Sequence, residues 1–233
     1  MKVDIWSDVR CPFCYIGKRK FEKALEKFPE KNNIEVEWHS FELDPTLITN
    51  AKENHVEHLS QAKGISKEQV DEMHDYVNKM AKEVGLDFHF DKVVVANSFN
   101  AHRLIQLAKI KGVSNEAEEA LFKAHFVEGK NIDDAETLMN IGISIGLDKN
   151  ELKKMVDSGE FSKQVRQDEQ QAQLFGINGV PFFVLNNRYG VSGAQSPQVF
   201  LQTLNQAWDD FEKEKKPLII TEGEICTTDG NCG

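Results

Sequence analysis

Hydrophobic positions change period along this chain, and the changes mark its elements. Near the start, "VDIW" alternates apolar and polar residues as a short strand does. Beyond two cysteines, Phe21, Ala24, Leu25 and Phe28 fall at i, i+3, i+4 and i+7, one face of a helix that Pro29 helps to end. Ile34, Val36 and Trp38 then alternate with Glu35, Glu37 and His39, predicting a second strand that runs on to Phe41 and stops near Asp44-Pro45.

From 46 to 159 the spacing is helical throughout. Val70, Met73, Val77, Met80 and Val84 form one stripe, and Leu104, Ile105, Leu107 and Ala108 belong to a helix stopped at Gly112. Ser114 is placed to cap a helix carrying Ala117, Ala120, Leu121 and Ala124. Asp133 with Glu136 reads as a capping pair ahead of Leu138 and Ile141, and Asp148 as the cap of a helix bearing Leu152, Met155 and Val156. "DKVVVAN" reads as a loop. A helix over 161–175, ended by Gly176, precedes two β-rich runs in "VPFFVLNNRYGVSG", a hairpin about Asn186-Asn187. Ser196-Pro197 opens a last helix whose Phe200, Leu201, Leu204, Trp208 and Phe211 share a face. The order is β-α-β, a helical block, then α-β-β-α. The expected division is one α/β unit in two parts, 1–45 and 160–212, interrupted by helices over 46–159 and followed by a tail at 213–233.

With 233 residues the chain buries a core without covalent staples, so its four cysteines are not needed for folding. No apolar run reaches the length of a membrane span. A net charge of -10 and a pI near 5.2 disfavour nucleic acid and anionic membrane as partners, and proteins or small thiols are expected instead. Met1 and Lys2 lead straight into "VDIW" without the pattern of a secretory leader, which makes cytoplasm the expected location. In a reducing compartment a close cysteine pair reads as catalytic or metal-binding rather than structural.

Cys11 and Cys14 admit three readings. A closed zinc site needs four ligands, yet the other cysteines, Cys226 and Cys232, lie in a distant polar tail, and His55 and His58 look like members of a solvated helix face. Two small buried hydrophobes at a helix start would suit either cysteine alone. The redox reading accounts for more. A thiol at a helix N-terminus meets unpaired N–H groups and the positive end of the macrodipole, both of which favour the nucleophilic thiolate. Arg10 adds positive charge, Pro12 suits the first turn, and Cys14 lies one turn deeper, within reach of a disulfide to Cys11. Phe13 contributes neither charge nor a hydrogen bond, so an intermediate reduction potential is expected.

In "SDVRCPFCYIG", "FELDP", "NSFNAHRLIQLAK" and "GVPFFVLNNRYGVSGAQ" the chain resembles the DsbA-like thioredoxin superfamily and, within it, the FrnE-like cytosolic thiol-disulfide oxidoreductases, nearly end to end through residue 212. The resemblance implies an α/β class, a thioredoxin fold interrupted by an inserted all-helical domain. It also implies a nucleophilic Cys11, a resolving Cys14, a cis Pro181, and Val180, Pro12 and Phe13 as substrate-binding positions, with an edge-strand pairing of bound peptide at Val180. No tightly bound cofactor or metal is expected; glutathione or another low-molecular-weight thiol is the expected co-substrate, and a dimer is left open. Phe13 stands where periplasmic members usually carry histidine, so their strong oxidising power does not carry over.

Cys226 and Cys232, with five residues between them including Asp229-Gly230, have parallels as a second cysteine motif in FrnE-like proteins and are read as a redox relay to the first pair or as a cover over it in one redox state. Relatives that isomerise or conjugate aromatic substrates with glutathione share "AHR"-like segments but resemble serine at the nucleophile position, which makes that activity the alternative, beside a four-cysteine metal or redox-sensor module. Asp8 and His39 are candidates for proton transfer near the cysteines. His102 and Arg103 are expected to serve packing on a helix surface or between domains.

Overall fold

The computed structural model describes residues 1–214. Its four-stranded sheet has the order β2-β1-β3-β4, built from β1 (Lys2–Ser7), β2 (Glu35–Ser40), β3 (Phe182–Leu185) and β4 (Tyr189–Ser192). β1 and β2 are parallel, with Ile5 beside Trp38, and are joined through helix α1 (Pro12–Lys27). β3 runs antiparallel to β1 with Ile5 beside Phe183, and β4 returns from it through Asn186 and Asn187. Both asparagines hold positive φ, 53° and 52°, as a two-residue hairpin turn of matching twist requires.

Seven helices separate β2 from β3: α2 (His55–Lys63), α3 (Lys67–Glu83), α4 (Phe99–Ile110), α5 (Ser114–Phe126), α6 (Ala135–Ser144), α7 (Lys149–Asp157) and α8 (Ser162–Leu174). Helix α9 (Pro197–Glu214) closes the described chain. This is a thioredoxin fold whose sheet is interrupted by a helical insertion.

The sheet is buried on both faces. On one, α1 and α9 meet over Phe21, whose ring lies 5.5 Å from that of Phe183 and 5.6 Å from that of Phe200. Burying each such ring stabilises the fold by about 1.5–3 kcal/mol. On the other, Trp6 packs with Ala172, Ile177 and Val184, and its indole N–H donates to the Asp168 carbonyl of α8 at 3.0 Å. Because β1 is central, the polar residue in its alternation, Asp4, is buried too. It is matched there by His39, 2.7 Å away, and His39 in turn contacts Asp168 at 2.9 Å. Asp168 also accepts from the Ser40 backbone N–H and from Gln106 of α4, which ties the inserted helices to the sheet.

Two expected caps fall elsewhere. The helix expected to be capped by Ser114 has Val113 at its N-cap, without a side-chain cap. The pair Asp133 and Glu136 is shifted by one residue: Asp134 caps α6 through the Thr137 N–H, while Asp133 accepts from Thr49 and Asn100. A neighbouring acceptor in tertiary contact decided between two adjacent aspartates. "DKVVVAN" is a loop apart from one bridge between Asn50 and Val95.

Candidate active site

Helix α1 starts at Pro12, with Cys11 at its N-cap in an extended conformation that makes no side-chain cap, so the sulfur is left to other partners. The Cys11 N–H donates to the Asp8 carbonyl at 2.9 Å, and the Cys14 N–H to the Cys11 carbonyl at 3.0 Å. Opposite, the Val180–Pro181 peptide bond is cis, and the Cys11 thiol donates to the Val180 carbonyl at 3.5 Å. Both cysteines are free thiols and adjoin each other. Burial, followed by the proximity of Cys11, pushes the Cys14 thiol well above the ordinary range.

A cavity of about 540 Å³ lies over this point. Arg10, Cys11, Pro12, Phe13 and Val180 form one side; α2, α3 and α5 of the insertion supply the other with His55, His58, Leu59, Met73, His74 and His125. Cys14, 1% exposed, does not line it. Pro181 packs instead over Gly17 of α1. Cys226 and Cys232 lie outside the described residues.

His55 and His58 are therefore half-buried in a cavity wall rather than on a solvated face, because α2 folds back over the cysteines. His74 stacks on Phe90 with ring centroids 4.1 Å apart, and His125 is almost fully buried. Burial, with lesser repulsion from neighbouring histidines, holds His55 down to about 4 and His125 to about 3, so both are neutral at pH 7. Sequence reasoning passed over His74 and His125. A signal existed: His74 continues the buried stripe Val70, Val77, Ala81, and His125 lies four residues after buried Leu121, both places where a polar side chain has no reason to sit on packing grounds.

The two proton-transfer candidates part company. The Asp8 backbone holds the cysteine turn, and its carboxylate accepts from the N–H groups of Arg10 and Leu43. His39 is engaged by Asp4 and Asp168 within the sheet. With Asp4 and Glu37 it forms a group of possible metal ligands, but Lys2 and Lys109 are ion-paired to those carboxylates. His102 is fully buried, its Nε2 3.7 Å from Asp8 Oδ1, and belongs to the floor beneath the cysteines rather than to a helix surface. Arg103 does serve packing: it binds the Met155, Ser158 and Glu160 carbonyls at the end of α7.

A thioredoxin sheet with an inserted helical block, and a cysteine pair at the head of α1 facing a cis-proline turn, defines the class of DsbA-like disulfide oxidoreductases. The chain belongs to the DSBA-like thioredoxin domain family, which it matches over residues 2–205. It is 37% identical to a probable DsbA oxidoreductase of Streptomyces coelicolor, with a TM-score of 0.85 covering 100% of this chain and 98% of that one. The uncharacterized protein YwbO of Bacillus subtilis is 27% identical over 215 residues, 91% of this chain and 98% of its own. The fold is shared with the cytosolic disulfide reductase DsbM of Pseudomonas aeruginosa, solved with GSH, at a TM-score of 0.61 and 18% identity, covering 92% and 98%. The protein is thus an enzyme of the DsbA-like kind. Among the described residues no helix is long and apolar enough to cross a membrane.

Proposed function

We propose that the protein exchanges disulfides through a Cys11-Pro12-Phe13-Cys14 dithiol, by way of a mixed disulfide on Cys11 that Cys14 resolves. One observation carries this reading: of the two adjoining sulfurs, only that of Cys11 lines the cavity. The Cys11 thiolate attacks a substrate disulfide, forming one S–S bond and releasing one substrate thiolate. Cys14 then loses its proton and attacks Cys11 Sγ, so that the second substrate thiolate leaves and the enzyme holds the Cys11–Cys14 disulfide. The Val180 carbonyl, already an acceptor for Cys11, is placed to accept from the backbone N–H of a bound peptide or thiol.

The insertion narrows access to Cys11 and favours small disulfides or a single protruding loop of a protein as substrate. Glutathione or a similar small thiol would return the electrons in the cytoplasm, with Cys226 and Cys232 as a second exchange pair. Insulin reduction and disulfide refolding test the scheme. Cys11→Ser should lose activity by about a hundredfold or more, whereas Cys14→Ser should accumulate a mixed disulfide visible by mass. An active Cys11→Ser variant would overturn it. Unchanged turnover and re-oxidation in a Cys226→Ser, Cys232→Ser variant would remove the relay alone.

A further inference from the structure

Arg10 lines the cavity beside Cys11, and the exchange scheme gives its side chain no part. The side chain is half-buried, and Nη1 is shut off from solvent with no hydrogen-bond partner. Among the described residues the guanidinium closes neither a hydrogen bond nor an ion pair. A guanidinium carries five N–H donors and a charge that it does not lose, so an unpaired one in a cavity wall is destabilising until an acceptor reaches it.

The rest of the wall does not supply that acceptor. Leu59, Met73 and Phe90 are apolar, while His55 and His125 are neutral at pH 7. Asp44 is the carboxylate of the lining, but it accepts from the N–H and hydroxyl of Thr46 at 2.9 and 2.7 Å and makes no ion pair with Arg10. His58 is engaged by Glu53 at 3.1 Å, and Lys63, exposed at the end of α2, adds a second positive charge. The histidines do not form a metal site: among the described residues the group of possible ligands close enough to share an ion is Asp4, Glu37 and His39, which lies outside the cavity.

We propose that Arg10 receives a carboxylate of the substrate, so that the cavity selects low-molecular-weight disulfides whose carboxylate lies a few bonds from sulfur. The inference rests on the exchange chemistry of the preceding section and names the substrate class that its first step prefers. Arg10 and Cys11 are consecutive, so a molecule that bridges guanidinium and sulfur is short. A cavity of about 540 Å³ holds a molecule of that size. As the Cys11 thiolate attacks, one half of the disulfide becomes bonded to Cys11 with its carboxylate on Arg10, and the other half leaves as a thiolate. Cys14 then displaces the bound half as before. The whole chain carries a net charge of -10, which opposes an anion, so a preference for one has to come from a local contact.

The test compares three disulfides of similar length that differ in charge: 3,3′-dithiodipropionate, 2-hydroxyethyl disulfide and cystamine. Reduced full-length protein is mixed with each at pH 7, quenched in acid and digested with pepsin. Adducts and disulfide at Cys11 are then followed by mass. Each rate is divided by that of free 2-mercaptoethanol with the same probe, which removes the probe's own reactivity. Ratios between probes also cancel any change in the Cys11 nucleophile, which all three share. The parent should favour dithiodipropionate over 2-hydroxyethyl disulfide by about tenfold or more, with cystamine slowest. Arg10→Met should bring that ratio to within about twofold of one, and Arg10→Lys, which keeps the charge without the planar fork, should hold an intermediate value. Lys63→Met should leave the ratio within about twofold of the parent's, and the preference should survive about 0.5 M salt, which screens attraction by exposed charges. A parent without the preference, or a ratio unmoved by both Arg10 substitutions, overturns the proposal. So does a ratio that collapses in salt or in Lys63→Met, the mark of general attraction rather than a contact. No reaction at Cys11 with any probe overturns the exchange scheme itself, whereas reaction at equal rates with all three overturns the carboxylate contact alone.

Discussion

Gly17 of α1 lies so close beneath Pro181 that a Cβ added to it would stand 3.0 Å from the proline Cγ and 3.5 Å from Phe183. The glycine sits inside a helix, where alanine is ordinarily better by about 1 kcal/mol. Tight contact with the proline opposes that gain. Gly17→Ala is expected to leave stability within about 1 kcal/mol of the parent, because the two effects offset. Moving Pro181 by a few tenths of an ångström also moves the Val180 carbonyl relative to Cys11, so disulfide reduction should fall by about threefold to tenfold. Thermal unfolding and insulin reduction on the same sample separate the two; unchanged reduction would refute a positioning role for this contact.

Helix α1 is held to the insertion through Tyr15. Its ring stacks on Phe122 with centroids 4.9 Å apart, and its hydroxyl donates to Glu119 Oε1 at 2.6 Å. Burial, then Glu119, holds that hydroxyl in its protonated form far above neutral pH. Tyr15→Phe keeps the stack and removes a bond to a charged acceptor, at an expected cost of about 1.5–3 kcal/mol in urea unfolding. Glu119 keeps Arg19 and Lys18 as partners, which argues for the lower end. A cost below the error of the measurement would show that those cations suffice.

Neutral histidines in the cavity wall make stability fall with acid. His55 and His125 titrate near 6.5 when unfolded but at about 4 and about 3 when folded. Their contribution is therefore complete above pH 6.5 and is lost as pH falls toward the folded values, because the unfolded chain takes up protons first. Each contributes a slope of up to about 1.4 kcal/mol per pH unit. His39 has the opposite sign. Burial lowers it but Asp168 and Asp4 raise it further, so its contribution is present below 6.5 and is lost as pH rises through its raised value. Denaturant unfolding at pH 5 and 7.5 should show a smaller acid loss in His125→Phe than in the parent. Equal losses would place His125 in a wetter site than described.

Arg103 closes the end of α7 by donating to three carbonyls, with Nη1 held by Asn100 at 2.8 Å. Arg103→Met would strand those acceptors and should lower stability by about 2–4 kcal/mol. Lysine lacks the planar fork, so Arg103→Lys should recover less than half of the loss. Full recovery by lysine in thermal unfolding would show that charge, not geometry, matters at this position.

Sequence alone determined the alternation of elements, because strand and helix are written in the spacing of apolar residues: β1, α1 and β2, the β3–β4 hairpin at Asn186-Asn187 and the last helix are all legible there. It also marked Cys11 and Cys14 as the candidate exchange pair, since two thiols one turn apart at a helix start are a local pattern. Tertiary structure decided what local pattern does not encode. Asp133 lost its cap to Asp134 because Thr49 and Asn100, distant in sequence, bind it. His55 and His58 became a cavity wall because α2 lies across the cavity from Cys11, and His125 joined them from α5, seventy residues further along the chain. A side chain's charge and reach follow from its type, but the burial and neighbours that set its proton affinity exist only after distant segments meet.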